Sequence, residues 1–180
     1  MGTEMKSVII DTSSAILLYK SGLITQLVNH YQTLMTPSVY GELTEHGYPG
    51  SDTFRLLCKS RQIDLLDSPD SASASLESYP ELPVLNQGER DTIHHQMLGM
   101  GDFSIIDDGR ALRYCKRVGL PFINALLFPR IMLLIQSITD SEYHARSAEI
   151  IRFGWYTDRI IEIAANFPER SIQPFLPSDD

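Results

Sequence analysis

The chain alternates short apolar runs with longer amphipathic ones. Lys6-Ser7-Val8-Ile9-Ile10 is a compact β-branched run that stops at Asp11, as a central strand does. Thr12, Ser13 and Ser14 are N-cap types, and Ala15-Ile16-Leu17-Leu18-Tyr19 follows at helical spacing until Gly22. Leu23, Ile24, Leu27, Val28 and Tyr31 then recur as one face of a second helix. The pattern next predicts a strand at Leu34-Met35-Thr36 and a helix opening at Pro37 that carries Val39, Glu42 and Leu43. A loop at Gly47–Gly50, a helix over Thr53–Ser60 and a strand at Ile63–Leu66 come after it. Ser68–Pro83 is the most polar and least periodic stretch, with Pro69, Pro80 and Pro83, and reads as a mobile connection. A helix over Gly88–Leu98, a strand over Phe103–Ile106, a helix over Gly109–Val118 and a short final strand at Leu120–Ile123 follow. The remainder reads as helix: Ala125–Ile138, Asp140–Phe153 and Thr157–Phe167. Pro174–Asp180 reads as a tail that is disordered or docks on a partner.

Strands alternating with helices imply an α/β fold: a three-layer α/β/α sandwich around a parallel sheet of about five strands, with right-handed crossovers. Extra helices close the chain. At 180 residues this is one domain, with a core of about 5–140, a helical extension of about 141–170 and a tail of 171–180.

Composition narrows the class. A 43% hydrophobic and 21% charged chain is ordinary for a globular protein and excludes a disordered one. The most apolar stretch, Phe122–Ile138, is broken by Asn124, Pro129, Arg130 and Gln136, so no membrane span is expected. Met1-Gly2-Thr3-Glu4 has no basic flank of a secretory signal, and Met5 reads as the natural start. Cys58 and Cys115 lie far apart without metal-ligand spacing and read as reduced thiols in the cytoplasm. The net charge of −8 argues against a simple nucleic-acid binder unless bound metal offsets part of it. Arg110, Arg113, Lys116 and Arg117 crowd one helix and read equally as a local basic patch or as a solvated face.

The chemistry lies in the acids. Asp11 ends the first strand, Glu42 follows Thr36-Pro37, Glu89 and Asp91 follow Asn86-Gln87-Gly88, and Asp107-Asp108 follow Ile105-Ile106. Each has an ordinary structural reading, as a cap, a surface carboxylate, a complement to a helix dipole or a turn. Together they fall at the carboxyl ends of one inferred parallel sheet, where ligand sites gather. Carboxylates that converge repel unless a cation separates them, and hard oxygen ligands favour Mg²⁺ or Mn²⁺. The pattern suggests a divalent-metal site used in phosphodiester cleavage. Glu89 and Asp91 are two positions apart, so at most one faces such a site squarely. His94 and His95 read as helix surface and core partners before a catalytic role, and Trp155 as core before a base-stacking platform.

Ile9-Ile10-Asp11-Thr12-Ser13, Thr36-Pro37-Ser38-Val39-Tyr40-Gly41-Glu42-Leu43 and Leu85-Asn86-Gln87-Gly88-Glu89-Arg90-Asp91-Thr92-Ile93 resemble successive motifs of the PIN-domain ribonucleases. Ile105-Ile106-Asp107-Asp108-Gly109-Arg110-Ala111, followed by Cys115–Pro121, is similar to the fourth acidic motif and final strand of that family. The order and spacing hold over Lys6–Ile123, and Phe153–Asp158 resembles the tail of a prokaryotic subgroup. The resemblance implies a metal-dependent endoribonuclease using Mg²⁺ or Mn²⁺ on an RNA substrate. It also implies the toxin of a toxin–antitoxin pair, with an antitoxin protein as partner. Carried over by position, Asp11, Glu42, Asp91 and Asp108 match the acidic quartet best, with Glu89 and Asp107 as close seconds. Thr12, Ser13 and Asn124 would stand beside them. One departure is Asn124-Ala125-Leu126, where relatives carry a glycine-containing turn; filling that turn points to the alternative of a catalytically inactive RNA-binding or protein-interaction module. A nucleotide-binding domain lacks its glycine fingerprint here, and a phosphoryl-accepting receiver lacks a lysine after the last strand. The apolar excess of Ala125–Ile138 points to a homodimer surface.

Overall fold

The computed structural model describes residues 5–67 and 85–178, so the expected mobile connection at Ser68–Pro83 lies outside the described residues. Five parallel strands form one sheet: β1 (Ser7–Ile10), β2 (Gln32–Met35), β3 (Ile63–Leu65), β4 (Phe103–Ile105) and β5 (Phe122–Ile123). Their order is β3-β2-β1-β4-β5, which puts β1 at the centre and reverses the winding beside it. The register pairs Ile9 with Leu34 on one side and with Ser104 on the other. The helices linking these strands are α1 (Thr12–Lys20), α2 (Ile24–His30), α3 (Pro37–Thr44), α4 (Ser51–Lys59), α5 (Gln87–Met97) and α6 (Gly109–Val118). Beyond the sheet come α7 (Phe128–Leu134), α8 (Asp140–Phe153), α9 (Asp158–Ala165) and α10 (Glu169–Ile172). This is the α/β/α sandwich with extra C-terminal helices.

Alternation along the strands sorts the core into two faces. Val8, Ile10, Met35, Phe103 and Ile105 pack with α1, α2, α7 and α8 in the large apolar cluster. Ile9 and Leu34 point the other way. There Ser104 Oγ donates to Gln96 of α5 at 2.6 Å, so a buried polar pair is satisfied and not orphaned.

Three expectations are corrected. Ala125–Ile138 is not one helix. Residues 125–127 form a 3₁₀ turn capped by Asn124, α7 begins at Phe128 with Pro129 in its first turn, and Gln136 turns the chain at φ +58°. The apolar surplus of that stretch goes into the chain's own core, through Leu126, Leu127, Phe128, Ile131, Met132 and Ile138. It is therefore no argument for a dimer. The tail as far as Ser178 packs against its own chain. The Tyr31 hydroxyl donates to the Phe175 carbonyl at 2.6 Å, Lys6 Nζ donates to the Pro174 and Leu176 carbonyls at 2.7 Å each, and the Phe175 ring packs edge-on against Phe103. Third, Trp155 is not core: it is fully exposed.

Among the described residues no helix is long and apolar enough to cross a membrane.

Candidate active site

The carboxyl ends of β1 and β4 deliver Asp11 and Asp107 side by side. Asp11 is 1% exposed and caps α1, its Oδ1 accepting from the Ser14 amide at 2.8 Å and its Oδ2 from the Ser13 hydroxyl at 3.0 Å. Asp107 Oδ2 accepts from the Ser14 hydroxyl at 2.6 Å and the Ala125 amide at 3.1 Å, while its Oδ1 accepts from the Tyr156 hydroxyl. Ser14 therefore bridges the two acids. Burial first, and the Asp107 charge second, push Asp11 from an ordinary 3.8 up to about 7, against the lowering effect of the Ser14 and Ser13 hydrogen bonds. Asp107 is also raised by burial and lowered by Ser14, Tyr156 and Ala125.

A second acidic group stands around this pair. Glu42 comes from α3, and Thr12 Oγ1 donates to its Oε2 at 2.5 Å. Gly88 lets that carboxylate lie against the start of α5: a Cβ there would stand 3.0 Å from Glu42 Oε1 and 3.2 Å from Val39 Cγ2. Glu89 closes a capping box with Asn86, its Oε2 accepting from the Asn86 amide at 3.2 Å. Partial burial, then Asp108 and Glu42, raise Glu89, with the Asn86 bond and Arg110 opposing. Asp108 caps α6 through Oδ1, which accepts from Arg110 and Ala111 amides at 2.7 and 2.9 Å. Among the described residues Glu42 Oε1 and Asp108 Oδ2 accept no hydrogen bond.

Glu89, Asp107 and Asp108 line a cleft of roughly 500 Å³ with Ser13 beside them and Lys20, Tyr48, Phe153, Trp155 and Tyr156 on the other side, while Asp11 and Glu42 are neighbours of these acids behind the lining. Asp91 does not line it either, and unlike Asp11 and Glu42 it is paired away from the lining acids. It is 7% exposed, with Arg90 Nε 3.8 Å from its Oδ1 and His94 as an electrostatic neighbour. Of the two acids on α5, the structure thus brings Glu89 and not Asp91 to the cleft, because Glu89 sits in the first turn where the cap points it outward. Thr12 and Ser13 each hold a carboxylate, and Asn124 caps the 3₁₀ turn through the Leu127 amide at 3.2 Å. Ala125 needs no positive φ: among the described residues only Arg61 and Gln136 are non-glycine residues of that kind. His95 is buried between the carbonyls of Asp91 and Asp67, at 2.8 and 2.9 Å, and ties α5 to the loop after β3.

Sequence reasoning passed over Ser14 and Tyr156. Ser14 carried a signal, being the third residue past a capping Asp in a run of hydroxyl residues. Tyr156 carried one only as part of Phe153–Asp158, the run that resembles the tail of a prokaryotic subgroup.

A family model described as a PIN domain matches residues 7–134, well over half of the chain. The chain belongs to the PIN-domain family. The PIN domain is a nuclease fold, and PIN domains generally work with divalent metals. No curated protein and no solved structure matches the sequence. The match ends with α7, so α8, α9 and α10 lie outside it.

The floor of this PIN domain suits a hard cation in kind. Its donors are carboxylate and hydroxyl oxygens only, they repel one another, and two of the oxygens are open. Among the described residues no three His, Cys, Asp or Glu side chains already stand as a group able to hold an ion. Ser14 instead bridges Asp11 and Asp107 through its amide and its hydroxyl, and the Thr12 hydroxyl holds Glu42.

Proposed function

We propose that this PIN domain is a metal-dependent endoribonuclease that hydrolyses RNA phosphodiesters at the acidic cleft. One observation carries the reading: carboxylates from four separate segments, at Asp11, Glu42, Glu89 and Asp107-Asp108, converge at the carboxyl edge of the sheet beside an open cleft. Holding the ion, Mg²⁺ or Mn²⁺, falls to Asp11, Glu42, Glu89 and Asp108. Such an ion supplies charge stabilisation at the phosphate and a water of lowered pKa. Asp107, fixed by Ser14, Ala125 and Tyr156, is the positioning acid, joined to Asp11 through Ser14. Thr12 and Ser13 keep Glu42 and Asp11 turned toward the cleft. No side chain need act as nucleophile.

The reading extends to the toxin of a prokaryotic toxin–antitoxin pair acting in the cytoplasm. An antitoxin segment would seat in the apolar groove of roughly 400 Å³ between α6 and α9, where Ile160 and Ile163 are exposed. A second reading, an inactive RNA-binding module, is favoured by the absence of a ready three-acid group among the described residues.

The test is RNA cleavage by the full chain in Mn²⁺ and in EDTA, with thermal shifts alongside. Cleavage in Mn²⁺ alone is expected, with stabilisation by the metal and none by ATP or NAD; about 100-fold excess over Kd gives roughly 2.7 kcal/mol. Metal binding without cleavage would favour the second reading.

A further inference from the structure

The wall of the cleft is chemically unlike its floor. Gly154 ends α8, and a Cβ there would stand 2.3 Å from the Tyr156 ring and 2.9 Å from the Ile150 carbonyl. Only glycine lets Tyr156 fold back against the helix end and reach Asp107. With Tyr156 turned inward, the residue before it is thrown outward. Trp155, the lone tryptophan, is 101% exposed and lines the same cleft as Glu89, Asp107 and Asp108. Phe153 and Tyr48 flank it at 37% and 39% exposure. Cations gather there: Lys20 Nζ lies 4.8 Å from the Phe153 ring centre and the Arg152 guanidinium 5.2 Å.

We propose that Trp155, with Phe153 and Lys20, forms a stacking platform for one unpaired nucleobase of single-stranded RNA beside the phosphate to be cleaved. The proposal deepens the nuclease reading above and rests on it for what lies next to the base. An indole standing free in water offers a flat face that any base can cover, whatever its sequence. A base inside a duplex has both faces covered by its neighbours and cannot use it. The position of the platform favours a nucleic acid over a protein. It shares one cleft with the acidic floor, and Lys20 and Arg152 supply the positive charge toward the RNA backbone that the floor lacks. The platform makes the cleft selective for single strands.

Because Trp155 is the lone tryptophan, its emission reads this site directly. The full chain in EDTA, where no metal-dependent cleavage occurs, is titrated with a ten-nucleotide RNA and with the same sequence as a duplex. Binding of labelled RNA to Trp155→Ala and Trp155→Phe is followed by anisotropy. Saturable quenching by the single strand and not by the duplex is expected, with binding weakened about tenfold in W155A and nearly retained in W155F. In Mn²⁺, W155A is expected to raise KM and leave kcat within about twofold. Unchanged emission with RNA, or equal affinity of W155A, would overturn the platform even if the wild type cleaves RNA. Quenching without any cleavage would support the platform while removing the nuclease reading. Emission that shifts with protein concentration alone would show Trp155 covered by a second copy and would also overturn the proposal.

Discussion

The floor and the wall of the cleft come from different parts of the chain and obey different rules. The floor is made at strand ends and first helical turns within residues 7–134, the stretch that matches the PIN domain. Each acid there is placed by its own neighbours: a strand that stops, a cap that points, a glycine that lets a helix approach. The aromatic part of the wall, Phe153, Trp155 and Tyr156, is made by the end of α8 and the turn after it, outside that stretch, and Tyr156 ties it to the floor at Asp107. The floor therefore belongs to the matched stretch, and the aromatic end of the wall to the helices beyond it. On the proposed reading a cation offsets the repulsion in the floor and a nucleobase covers the exposed aromatic of the wall.

Three experiments break this comparison apart, the largest effect first. Glu89→Gln and Asp91→Asn ask whether place in the cleft or mere acidity matters. Glutamine keeps the capping box, so the fold should hold while cleavage falls by at least about tenfold. Asp91→Asn should leave cleavage within about threefold, since Asp91 faces Arg90 and His94. The reverse ranking, read from kcat/KM in Mn²⁺, would move the site off Glu89.

Tyr156→Phe cuts the link between wall and floor. It leaves Asp107 Oδ1 without its donor, and losing a partner of a charged group costs about 1–3 kcal/mol. The urea midpoint should fall with an unchanged slope. An unchanged midpoint would mean that α8 is held by its apolar contacts alone.

The smallest effect is the pH dependence of stability without metal. Asp11 stands at about 7 when folded, against 3.8 ordinarily, so the native chain keeps a proton that the unfolded chain releases between about pH 4 and 7. Stability should therefore fall as pH rises through that window and level off above it. Asp107 and Glu89, also raised, act in the same sense. His94, lowered mainly by burial, acts oppositely and costs stability as pH falls. Melting temperatures at pH 5 and pH 8 in EDTA read the sum, and Asp11→Asn should flatten it. A wild-type curve already flat would show that burial and the Asp107 charge do not raise Asp11.

The sheet and its acids were legible because their signals are local. A β-branched run ending at Asp11 and a Pro37 opening a helix each speak for themselves. The Asn86-to-Glu89 capping box, not read from the sequence, could have ranked Glu89 above Asp91, since it fixes Glu89 in the first turn. The helix expected over Ala125–Ile138 failed because apolar residues alone do not say where Pro129 and Gln136 redirect the chain. Trp155 failed for a deeper reason. A lone tryptophan is core by default, and only the fold of Tyr156 under Gly154 turns it out. The tail likewise reads as loose until Tyr31 and Lys6, both more than a hundred residues upstream, are seen to hold it.

Asp11→Asn tests the central claim most directly. Asp11 ends the central strand, stands deepest in the floor and has a near-isosteric substitute that removes only its charge. The account predicts a folded variant that cleaves single-stranded RNA in Mn²⁺ at least about a hundredfold more slowly than the wild type. Cleavage at the wild-type rate by a folded Asp11→Asn protein would contradict it.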